Sequence, residues 1–104
     1  MKRIECAFRS AGIAFAVAAV SHASSAQDVH GSVLTETCMT CHGPGGQSPG
    51  AIPSIAGLGA QEIADKLHGF ASGAIEATIM NRIAKGYTDD EIAVMAQYLA
   101  EHQN

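Results

Sequence analysis

The stretch "ETCMTCHGPGG", Glu36 to Gly46, sets Cys38, Cys41 and His42 within five positions of one another. Two thiols and an imidazole so placed can do three kinds of chemistry. They can bind a structural zinc ion, cycle between dithiol and disulfide, or attach a porphyrin covalently and ligate its iron. The spacing favours the third. In C-x-x-C-H each thiol adds to one vinyl group of the same haem, and the next residue, His42, is carried beneath the iron as the proximal ligand. Zinc would need a fourth donor, but there is no second cysteine pair, and His30, His68 and His102 show no ligand spacing. A redox disulfide would need a thioredoxin-like βαβ setting, whereas this pair precedes a glycine-rich loop with no strand signal nearby.

A haem iron takes a sixth ligand or keeps that position open for chemistry. Met39 lies between the two cysteines and cannot reach the far face, and Met95 fits the apolar stripe of a helix. Met80 follows His42 by 38 residues, enough chain to cross to the other side. Met80 is therefore the candidate distal ligand, since a Met/His pair is the common electron-transfer ligation. A proximal histidine normally donates its free ring N–H to a carbonyl. Pro53, eleven residues on, is the candidate acceptor. Arg82 is available to a haem propionate, although a solvated arginine is the simpler reading. His30, His68 and His102 read as surface residues.

The elements that must position these residues follow from the rest of the 104-residue chain. Lys2, Arg3 and Arg9 precede the apolar run Ala11 to Val20, and Ser24 and Ala26 supply small residues at a cleavage site. Ten apolar residues are too few to span a bilayer, which takes about 20. Residues 1–26 are thus expected to be a cleaved export leader and 27–104 the functional domain, periplasmic and without a membrane span. In residues 27–104 three basic residues stand against nine acidic ones, a net charge near −6. That balance excludes a nucleic-acid binder, which needs a basic patch for phosphates. Those 78 residues hold no tryptophan and only Phe70, Tyr87 and Tyr98 as aromatics. So small a core calls for a staple, and a covalent haem would supply both the staple and apolar bulk.

The pattern is all-α, four or so helices around one haem. A first helix spans about Asp28 to Cys41, with Val33, Leu34 and Thr37 near one stripe. The run Gly43 to Gly59 carries every proline of the chain and can only be a loop; one so long in so small a domain suggests wrapping a site. Ile63, Leu67 and Phe70 mark a second helix, and Ile75, Ile79 and Ile83 a third, stopped by Gly86. Thr88 and Glu91 form a capping box, with Tyr87 and Ile92 as a hydrophobic staple, opening a last helix that buries Ile92, Met95, Ala96 and Leu99.

The first helix, C-x-x-C-H, the loop ending "IPSIAGL", a distal methionine and the capped last helix together resemble a class I cytochrome c across the whole of residues 27–104. The resemblance implies a tight crossing of first and last helices, here Gly31 and Leu34 against Met95, Tyr98 and Leu99. "CMTCHGPGGQSPGAIPSIAGL" with "TIMNRIAKGYTDDEIAVMAQYLA" is similar to the monohaem cytochrome subunits of flavocytochrome c sulfide dehydrogenases. That likeness implies a partner, an FAD-containing flavoprotein that oxidises sulfide, and a downstream redox acceptor. It also implies thioether bonds at Cys38 and Cys41 and axial ligation by His42 and Met80. A single C-x-x-C-H departs from the two-haem members of that group. The docking face expected is the haem edge near Cys38 to Cys41 with the Gly43 to Gly50 loop. Three other readings stay open at this point: a free-standing electron shuttle, a haem sensor or enzyme if Met80 does not bind iron, and a metal or thiol module without haem. The leader has a direct check: exported protein is expected to show an intact mass beginning at Gln27, and retention of residues 1–26 would contradict it.

Overall fold

The computed structural model describes residues 12–14, 16 and 23–103, with side chains from residue 26 onward in the helical part. The leader expectation therefore lies for the most part outside the described residues. Four helices and two 3-10 turns make up the fold: α1 (Ala23–His42), a turn at Pro44–Gly46, α2 (Ala60–Ser72), α3 (Met80–Ile83), a turn at Ala84–Gly86, and α4 (Asp89–Glu101). Among the described residues there is no strand, and no helix is long and apolar enough to cross a membrane.

Helix α4 is the element on which the others rest, packing against both α1 and α2. Its start is built as its sequence dictates. Thr88 Oγ1 accepts from the Glu91 N–H, and Glu91 Oε2 accepts from the Thr88 N–H at 2.8 Å. Three acidic residues in the first turn, Asp89, Asp90 and Glu91, complement the positive end of the helix dipole. The inward stripe is Ile92, Met95, Ala96 and Leu99, all buried. Ile63 and Leu67 from α2 and Ala84 complete the buried apolar core.

Helix α1 meets α4 through its smallest residue. A Cβ built on Gly31 would lie 2.7 Å from Tyr98 Cβ, so glycine is what lets the two backbones come this close. The expected crossing of Gly31 on Tyr98 is therefore present. The inward stripe of α1 differs from the one expected. Val33 is 67% exposed, while Thr35 is 2% exposed and donates to the Gly31 carbonyl at 2.9 Å. Small residues at i and i+4 favour the close approach, and the bulkier Val33 is turned to solvent. The helix also begins at Ala23, five residues earlier than expected, so that cleavage after Ala26 would trim its first turn.

The third expected helix is corrected by the structure. Residues 74–79 are non-helical, and only Met80–Ile83 form a helical turn. Helix α2 closes at Gly73, φ 81°, and the Ile75 N–H is drawn back to the Gly69 carbonyl at 3.1 Å. That bond, with β-branched Ile75, Thr78 and Ile79 crowding any helical turn, leaves the segment a series of bends. Ile75, Ile79 and Ile83 accordingly form no buried stripe. Met80, which falls inside that expected helix, instead opens a single helical turn.

Two substitutions test this packing by the denaturant midpoint of unfolding. Gly31→Ala should cost about 1–3 kcal/mol, the scale of overpacking, and Thr88→Ala about 1 kcal/mol, the scale of a lost N-cap.

Candidate functional site

Cys38, Cys41 and His42 occupy the last turn of α1, so the thiols follow one another at i and i+3 along one side of a helix. Cys38 is half-buried against the core, Cys41 is exposed, and neither is bonded to the other. Burial pushes the Cys38 thiol above its ordinary value, and the Cys41 thiol adds to this. The backbone hydrogen bond at Cys38 and the Thr37 hydroxyl pull the other way. Among the described residues no three His, Cys, Asp or Glu side chains gather as a metal site.

The helix stops at His42 because the chain turns left-handed at Gly43, φ 87°. Its N–H still bonds the Met39 carbonyl at 3.0 Å. A Cβ at Gly43 would meet the Gln47 carbonyl oxygen at 2.0 Å, so no other residue fits. The loop then doubles back, with the N–H groups of Ile55 and Ala56 both donating to the Gly46 carbonyl at 2.8 and 3.0 Å. This return brings the Pro53 carbonyl to 2.5 Å from His42 Nδ1. A carbonyl only accepts, so Nδ1 carries the proton and the Nε2 lone pair remains available to a metal. Farther along, Gln103 ties the loop to the C-terminus, donating to the Leu58 carbonyl at 2.7 Å and accepting from the Gly57 N–H.

Met80 stands on another element. It is half-buried against the core at the start of α3, which packs on α2. Besides Val29 and Val33 on α1, the chain exposes a second set of large apolar side chains on the loop after His42 and around Met80. Ile52 in the loop, and Ile75, Ile79 and Ile83 around Met80, are 37–50% exposed. Next to Met80, Asn81 Oδ1 is buried without a hydrogen-bond partner, a condition that costs about 1–3 kcal/mol. A histidine with its second nitrogen free, two thiols spaced for vinyl groups and uncovered isoleucines all fit a haem. Arg82 is exposed and makes no ion pair among the described residues. His68 is taken up by Asp89 at 3.5 Å and His102 stacks on Tyr98, as suits surface histidines.

Two contacts went unseen in the sequence. One is the Gln103 clip just described. The other is a hydrogen bond between Thr37 Oγ1 and Tyr87 Oη at 3.1 Å, across 50 residues. Neither has a local sequence signature, because each joins segments far apart in the chain.

With this geometry in view, the cytochrome c family model matches residues 29–103. The chain belongs to the cytochrome c family, proteins that carry electrons on a covalent haem c. It is 43% identical over 68 residues to the cytochrome subunit of sulfide dehydrogenase from Chlorobaculum tepidum, covering 65% of this chain and 62% of that one. It is 33% identical to cytochrome c-553 of Nitratidesulfovibrio vulgaris, covering 75% of this chain and 81% of that protein. A thiosulfate dehydrogenase electron acceptor of Stutzerimonas stutzeri shares 36% identity over 61% of this chain and 31% of its own length. The chain thus spans under two thirds of the first relative and about a third of the last.

Ile79 provides a test of the apolar surface. In haem-loaded protein Ile79→Ser should lower unfolding stability by more than about 1 kcal/mol, as for a side chain that is covered. A change within about 0.5 kcal/mol, the scale of an open surface site, would show that nothing covers it.

Proposed function

We propose that this chain is an exported monohaem electron carrier, residues 1–26 its cleaved leader, acting in the periplasm as the haem subunit of a sulfide-oxidising flavocytochrome c. Cys38 and Cys41 hold the haem through thioether bonds, and His42 and Met80 are its axial ligands. Bound there, the haem supplies a one-electron couple. The observation that carries the reading is the 2.5 Å contact of His42 Nδ1 with the Pro53 carbonyl. It fixes the tautomer that leaves Nε2 to the iron, and donation from Nδ1 makes the ring a better ligand. A methionine thioether opposite raises the potential. With both axial positions taken by side chains, the polypeptide leaves no place for a substrate. Its work is to hold the ligands, exclude water with Ile52, Ile79 and Ile83, and offer an edge for docking.

The 43% identity with the sulfide dehydrogenase cytochrome subunit supports an FAD-containing flavoprotein as partner, with a downstream redox acceptor. The family match beginning at residue 29 supports a domain that starts after Ala26. A second reading, a free-standing shuttle, draws on the likeness to cytochrome c-553 over 81% of that protein.

Two measurements check these statements. Met80→Ala should abolish the weak sulfur-to-iron charge-transfer band of the oxidised protein, and an unchanged spectrum would remove Met80 from the iron. Purified from its native source, the protein should bring an FAD-containing subunit with it. Isolation as a flavin-free haem protein would favour the shuttle.

A further inference from the structure

The two proposed axial ligands stand on parts of the fold that do not support each other. His42 ends α1, which rests on α4 and on the turn at Pro44–Gly46. Met80 opens α3, which rests on α2 and on the turn at Ala84–Gly86. Between the two parts, among the described residues, runs a side-chain hydrogen bond. Tyr87 Oη and Thr37 Oγ1 are 3.1 Å apart. Thr37 immediately precedes Cys38, and Tyr87 immediately follows the turn that ends the Met80 segment.

Both ends of this bond are well anchored. Tyr87 packs against the core with its N–H on the Ala84 carbonyl at 3.3 Å, and the next residue is the N-cap of α4. Thr37 lies on the exposed side of α1 just before its last turn, five residues ahead of His42. Residues 80–86 are therefore held at one end by α2 and at the other by Tyr87, whose hydroxyl reaches the helix that carries the thiols.

We propose that the Thr37–Tyr87 hydrogen bond is a clasp that keeps the Met80 segment closed over the distal haem face. The clasp rests on the His42/Met80 reading and adds to it a pair of positioning residues that act through the segment they hold. With the bond intact, Met80 leaves the iron only if the segment opens against it. With the bond lost, the same departure is easier, and an outside ligand competes with Met80 more successfully.

The test uses the haem-loaded ferric protein and imidazole as the competing ligand, binding followed by loss of the sulfur-to-iron band. One hydrogen bond between neutral hydroxyls corresponds to a roughly two- to twelve-fold change in an equilibrium constant. Tyr87→Phe and Thr37→Val should each raise imidazole affinity by such a factor, and the double variant should raise it no further than either single one. Ser32→Ala, which loses only a bond to the Val29 carbonyl within α1, should leave it unchanged. A band present in the wild type with unchanged imidazole affinity in Y87F overturns the clasp alone. Additive effects of the two substitutions overturn it as well, since they show two independent packing losses rather than one shared bond. Absence of the band in the wild type overturns the ligand reading and the clasp together.

Discussion

The described residues bury only five large apolar side chains, Ile63, Leu67, Ile92, Met95 and Leu99, and this shortage governs everything else in the molecule. A core of that size closes a small domain only with help from a staple. Four isoleucines meanwhile remain partly open on the loop after His42 and around Met80. A covalent haem c would add the apolar bulk that so small a core lacks. The polypeptide supplies α4 as the common support, α1 as the carrier of the thiols and α2 as the support of the short helix that Met80 opens.

Beyond α1 the backbone is arranged to fix one histidine. Gly43 turns the chain where no side chain fits, Gly46 receives two N–H groups from the returning strand of loop, and Pro53 presents its carbonyl to His42. A loop without regular structure thus has a defined product, the orientation and tautomer of one imidazole. Gln103 holds the loop's far end, so the C-terminus takes part in the same arrangement.

Much of this was legible in the residues because it is written locally. C-x-x-C-H, the capping box at Thr88 and Glu91, and the stripe Ile92, Met95, Ala96 and Leu99 are short-range patterns whose physics is complete within one or two turns. Pro53 could be named as a candidate partner of His42 because a proximal histidine commonly bonds a carbonyl and the loop after it returns toward the ring. The misses are instructive. Ile75, Ile79 and Ile83 have helical spacing, yet the capture of the Ile75 N–H by Gly69 keeps them out of a helix, and their apolar character serves a different surface. Val33 was expected inward on hydrophobicity, but the closeness of α1 to α4 at Gly31 puts Thr35 there instead. The Thr37–Tyr87 bond depends on a crossing that no single segment encodes.

The central claim is that this haem is saturated on both faces by the chain's own side chains, which makes the protein a carrier of electrons rather than a reactor. Exposure of the dithionite-reduced protein to carbon monoxide tests it most directly. The account predicts that the Soret and α bands stay where they are at neutral pH. A prompt shift to a carbon monoxide complex would show an open or loosely held sixth position, and would contradict it.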